Sequence, residues 1–124
     1  MSRKISIRTG SIEVEGELIE NATADAIWNS LPIENSANTW GQEIYFSIPV
    51  NLELEDGQEV VNAGDIAYWP PGKAFCIFFG PTPASQGDEI RAASKVNVFG
   101  KVSSELDILR RVSDGEKILI EKVE

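Results

Sequence analysis

The side chains best equipped for chemistry sit late in this chain. Arg91, Ser94, Lys95 and Asn97 fall in one short stretch, and Arg91 and Lys95 are the first bases after Lys73. An arginine offers a planar fork of donors to a carbonyl or carboxylate. The amides of Asn38 and Asn97 can pair with a peptide backbone, or cap loop carbonyls within the fold. The aromatics Trp40, Tyr45, Phe46, Trp69 and Phe75 are the candidates to wall a groove. Trp40 and Trp69 stand beside Gly41 and Pro70, which suits a rim where part of the ring stays wet. Phe46 and Phe75 fit a core at least as well. The expected ligand-binding set is therefore Asn38, Trp40, Tyr45, Phe46, Trp69, Phe75, Arg91, Ser94 and Asn97.

Much other chemistry is excluded. The chain has no histidine and one cysteine, Cys76. Ser-His-Asp and Cys-His nucleophilic sites, histidine metal sites and structural zinc fall away together. Thr82, Ser85 and Ser94 lack a base to make a nucleophile. Cys76 lies in an apolar run and reads as a small buried hydrophobe. We expect no cofactor and no metal.

The net charge is −9, and no lysine or arginine lies between Arg8 and Lys73. Such a surface repels phosphate backbones and anionic lipid, so neither nucleic acid nor membrane is an expected partner. The expected partner is a peptide or small-molecule ligand; no oligomeric state follows. The 124 residues suit one domain, 1–124. No apolar run spans a bilayer, and the start passes straight into strand-like alternation, so the expected location is cytoplasmic.

The elements that must position these residues are mostly strands. Ile5 and Ile7, then Ile12, Val14 and Leu18, alternate with charged residues on either side of Thr9-Gly10, a strand–turn–strand pattern. Residues 23–31 predict a helix with Thr23 as N-cap, an apolar stripe of Ala24, Ile27, Trp28 and Leu31, and Pro32 as its stop. Short strands are expected around Trp40-Gly41, and turns at Asp56-Gly57 and Ala63-Gly64. Asp65 to Phe79 predict two strands joined by the Pro70-Pro71-Gly72 corner, with Gly72 supplying the positive φ of a type II turn. Gly80 to Ala92 read as a long loop. Val96, Val98 and Val102 form another strand. Ser104 to Val112 form a second helix with a capping-box-like start, and a last strand carries Ile118 and Ile120.

Val96-Asn97-Val98-Phe99-Gly100-Lys101-Val102, followed by a helix and Gly115-Glu116-Lys117-Ile118, resembles the end of cyclophilins. Three further stretches extend the likeness to the small stand-alone prokaryotic cyclophilin-like proteins. They are Asn38 to Phe46 with its Thr39-Trp40-Gly41 core, Gly64 to Ala74, and Phe78-Phe79-Gly80-Pro81-Thr82-Pro83. The resemblance implies a mainly β fold, a closed eight-stranded cyclophilin-like barrel with two helices. It implies no known reaction.

Cyclophilins twist prolyl bonds with an arginine that donates to the prolyl nitrogen, beside an apolar pocket for the ring. That arginine stands just before an I/V-I-P run. The counterpart here is Phe46-Ser47-Ile48-Pro49, which has none. The resemblance therefore implies a binding domain for a peptide segment or small organic ligand. The alternative is a prolyl isomerase with a rearranged site in which Arg91 reaches in from elsewhere. The cyclophilin-like fold also occurs in subunits of 5-oxoprolinase and of urea-amide-type hydrolases, but the absent histidine and single cysteine weigh against such enzymes.

Overall fold

A computed structural model describes residues 3–55 and 57–123. The strands are β1 (Arg3–Thr9), β2 (Ile12–Leu18), β3 (Ile33–Ser36), β4 (Asn38–Thr39), β5 (Glu43–Ser47), β6 (Gln58–Val61), β7 (Asp65–Trp69), β8 (Ala74–Phe78), β9 (Ile90–Val102) and β10 (Lys117–Lys122). One α-helix, α1, spans Ala22–Trp28. The strands form a single ten-stranded sheet in the order β3-β10-β1-β2-β9-β7-β8-β5-β4, with β6 paired to β9 off that path. Every pairing is antiparallel. The hydrogen-bonded path has two ends, β3 and β4, with no ladder joining them among the described residues. The sheet thus has ten strands where eight are expected from the sequence. Ala37 splits one expected strand into β3 and β4. β6 adds a short, mostly exposed strand that carries little apolar signal.

The sheet buries both faces where β8 runs. Phe75 and Ile77 belong to the larger core, with Ile5, Ile7, Ile44, Phe46, Tyr68 and Phe99. The alternate residues Ala74, Cys76 and Phe78 belong to a smaller cluster with Val61, Ala67, Ala92 and Val96. Side chains alternate faces along a strand, so a strand covered on both sides reads as continuous apolar sequence. In the larger core Phe75 stacks on Phe46 at 5.1 Å and meets Phe99 edge-on at 5.3 Å.

Both expected helices are shorter than the pattern predicts. Asn21 caps α1, its Oδ1 accepting from Ala24 N at 2.8 Å. Thr23, the expected cap, is buried and donates its hydroxyl to Glu55 Oε1 at 3.0 Å. Trp28, expected in the core, is half-buried at its edge, with Lys122 Nζ 4.9 Å from its ring centroid. The second helix is a 3₁₀ segment, Asp107–Arg111. Ser104, its expected cap, instead accepts from Glu15 N on β2 at 2.9 Å. Leu109 and Val112 are buried as expected.

The proline corner, Pro70–Gly72, is a 3₁₀ turn, and the residue with positive φ is Lys73 at +48°. Gly72 is needed for a different reason. A Cβ there would lie 2.8 Å from Cζ3 of Trp69, whose ring covers it. Arg91, expected in a loop, is on β9. Asp56 of the expected Asp56-Gly57 turn lies outside the described residues. No helix among the described residues is long and apolar enough to cross a membrane.

Candidate functional site

Strand alternation places Glu43 and Tyr45 on one face of β5, the face that Cys76 and Phe78 occupy on the neighbouring β8. Just before β5, the chain turns at Trp40-Gly41. The turn is closed by Trp40 N to Glu43 O at 2.9 Å and Glu43 N to Trp40 O at 3.2 Å. Trp69 ends β7 and donates its indole Nε1–H to Ser94 Oγ at 2.7 Å. From β9, Ala92, Ala93 and Val96 present short side chains. Trp40, Glu43, Tyr45 and Trp69 with these three enclose a cavity of about 290 Å³.

Its walls are mostly apolar, and Glu43 is the one carboxylate among them. That residue is 6 % exposed. Burial pushes its carboxyl from an ordinary 4.5 up to about 7, and the neighbouring Cys76 thiol pulls the other way. Cys76 is raised in turn by burial and by the Glu43 carboxyl. Among the described residues no lysine or arginine pairs with Glu43. A broader depression of about 710 Å³ adjoins, lined by Leu52, Leu54, Pro70, Pro71, Ser94 and Lys95 among others. Trp69 lines the first hollow and Ser94 the second, so their hydrogen bond links the two.

The structure thus brings together Trp40, Tyr45, Trp69 and Ser94 from the expected set. Phe46 and Phe75 lie on the opposite face of the sheet, in the larger core. Asn97 is 1 % exposed and fully engaged. It accepts from Glu55 N at 2.6 Å, and donates to Glu53 O at 2.9 Å and Thr23 Oγ1 at 3.3 Å. Asn38 is exposed and donates to Tyr45 O at 3.2 Å. Arg91 grips Glu89 through Nε at 2.6 Å and Nη2 at 3.2 Å, and Glu59 through Nη1 at 3.0 Å. These bonds hold its guanidinium further toward the charged form and lower the Glu89 carboxyl. Thr82 and Ser85 pin the preceding loop: Thr82 Oγ1 donates to Arg91 O, and Ser85 Oγ accepts from Arg91 N at 3.1 Å. Glu43, Ala92, Ala93 and Val96 are the lining residues that sequence reasoning misses. The one available signal was the period of two that sets Glu43 beside Tyr45. In a chain with 20 acidic residues, a single glutamate does not stand out.

A family model described as Cyclophilin-like matches residues 3–121. The chain belongs to the cyclophilin-like family. No curated protein matches it. Among solved structures it is similar to the solution structure of the hypothetical protein AF2241 from Archaeoglobus fulgidus. The TM-score is 0.83 at 46 % identity, over 98 % of this chain and 95 % of that one. This cyclophilin-like chain has no arginine before Ile48-Pro49, and Arg91 on β9 has its donors held by carboxylates. The cyclophilin-like sheet is therefore present without a free guanidinium at the aromatic cavity.

Proposed function

We propose that this protein binds a small organic ligand, or one side chain of a peptide, in the cavity of Trp40, Tyr45 and Trp69, and does not isomerise prolyl bonds. The observation that carries this reading is the cavity itself: a mostly apolar, aromatic-lined hollow of about 290 Å³ with one carboxylate among its lining. That is the general form of a ligand pocket. Prolyl isomerisation needs a donor at the imide nitrogen as its resonance is lost. Arg91, the one base of the expected set, is engaged by Glu59 and Glu89, and Lys95 lines the outer depression. The isomerase alternative has family membership in its favour, and fold alone confers no activity.

The scaffold for this site is, in the same proposal, a closed eight-stranded barrel. With β3 and β4 counted as one strand interrupted at Ala37, and β6 set aside, the path has eight strands and its ends coincide. Two contacts support this. Asn35 Nδ2 donates to Ser47 O on β5 at 2.7 Å, and Ala37 N donates to Glu116 O at 2.7 Å, which carries the β3–β10 ladder on through the interruption.

A fragment screen by NMR tests the pocket. Bound fragments are expected to shift the indole signals of Trp40 and Trp69 together. A screen in which hits move neither indole overturns the site. Exchange spectroscopy on a proline tetrapeptide tests the rest: no acceleration over the uncatalysed rate is expected, and brisk exchange overturns the binding-only reading.

A further inference from the structure

We infer that the ligand is a small organic ammonium ion, held by its charge against Glu43 and by its alkyl groups against the rings of Trp40, Tyr45 and Trp69. This rests on the reading of the cavity as a binding site. A carboxylate taken out of water is costly unless something pairs with it. Glu43 is almost wholly buried, and among the described residues no cation pairs with it. The Cys76 thiol beside it is a weak donor, and it is directed to the Ala74 carbonyl at 3.8 Å. The space it borders is lined by three aromatic rings, and the face of such a ring attracts cations through its quadrupole. The remaining lining, Ala92, Ala93 and Val96, has apolar side chains. Both nearby bases are directed elsewhere: Arg91 is bound by Glu59 and Glu89, and Lys95 lines the outer depression. Each feature favours positive charge on an apolar frame, and the net charge of −9 favours the approach of cations.

The groups that face Glu43 are Cys76 from β8, Tyr45 from β5, and the uncharged Trp40, Trp69, Ala92, Ala93 and Val96. Among the described residues no other charged side chain lines the cavity. The bound cation stabilises the ionised carboxylate, so affinity rises with pH while Glu43 titrates and levels off once it is ionised.

The test titrates the intact protein at pH 8 with choline and with its neutral carbon isostere, 3,3-dimethylbutan-1-ol, reading the Trp40 and Trp69 indole signals by NMR. A second cationic arm uses a glycine peptide with one central trimethyllysine. At least one cation is expected to bind roughly tenfold or more tightly than the isostere, since a desolvated cation–π contact and an ion pair each add to the shared apolar contact. The tighter of the two names the source, free amine or lysine side chain. The preference is expected to shrink at pH 5.5, to vanish in Glu43→Gln and to fall in Trp40→Leu, which keeps the carboxylate. Equal binding of cation and isostere overturns the ammonium inference and leaves the cavity reading standing. Failure of all three probes, with a fragment screen that also leaves both indoles unmoved, overturns both.

Discussion

Trp69 and Ser94 are tied across β7 and β9 by an indole N–H to hydroxyl bond of 2.7 Å. The bond fixes the tilt of the Trp69 ring, which walls the cavity on one side and covers Gly72 on the other. One hydroxyl on a neighbouring strand therefore sets both the shape of the cavity and the packing of the proline corner.

Ser94→Ala removes that bond and leaves the indole N–H to find water. The expected loss is about 1 kcal/mol, the net worth of one hydrogen bond. Solvent exchange of the Trp69 indole proton is expected to quicken several-fold by NMR, and affinity for a cavity ligand to fall. An indole proton with unchanged exchange contradicts the positioning role of Ser94.

Glu43→Gln tests the carboxyl through stability. Unfolded, Glu43 gives up its proton near an ordinary 4.5; folded, it does so at about 7. Between these values the folded state holds the extra proton, so stability falls as pH rises through that window and is lowest above it. The whole effect is of order 3 kcal/mol. Compared with wild type, Glu43→Gln is expected to gain in relative Tm from pH 5 to pH 8. A Tm difference that does not vary with pH contradicts this.

Asn97→Ala strands the Glu55 N–H and the Glu53 carbonyl and takes a donor from Thr23. Unsatisfied buried groups cost about 1–3 kcal/mol each, so a net loss of about 2–4 kcal/mol is expected. In Tm this is a fall of roughly 10 °C. Hydrogen exchange at Glu55 is expected to speed up beyond the global change. Unaltered protection at Glu55 would show that the 51–55 segment is held by something else.

Gly41→Ala and Gly87→Ala separate strain from steric conflict. Both glycines have positive φ, +61° and +64°. A Cβ on Gly87 meets nothing within 4 Å, whereas one on Gly41 lies 2.9 Å from Thr82 Cα and 2.8 Å from Pro83 Cδ. Gly87→Ala is expected to cost about 1 kcal/mol of backbone strain alone. Gly41→Ala is expected to cost clearly more and to shift the amide signals of Thr82 and Ser85. Equal costs by chemical denaturation contradict the contact between the Trp40 turn and that loop.

The alternating strands were legible because burial on one face leaves a period of two, as in Ile12-Glu13-Val14-Glu15 on β2. The caps were not. Thr23 and Ser104 have the right type and spacing for helix starts, yet their hydroxyls serve distant partners, Glu55 and Glu15. Capping competes with every other donor or acceptor the fold brings near, and those are unseen along the chain. At the site, Trp40 and Trp69 were legible from their glycine and proline neighbours. Phe46 and Phe75 resembled them in type but face the other side of the sheet.

By itself the sequence determined a mainly β chain with strands near their observed places, membership in a family, and the lack of an arginine before Ile48-Pro49. All of these are carried by residue order or local pattern. Tertiary structure alone decided that Glu43 borders an aromatic hollow, that Arg91 is held by Glu59 and Glu89, and that Asn97 is locked beneath the 51–55 segment. Those outcomes depend on which face of which strand meets which neighbour. A shift of register by one residue reverses every such choice while barely altering the local pattern.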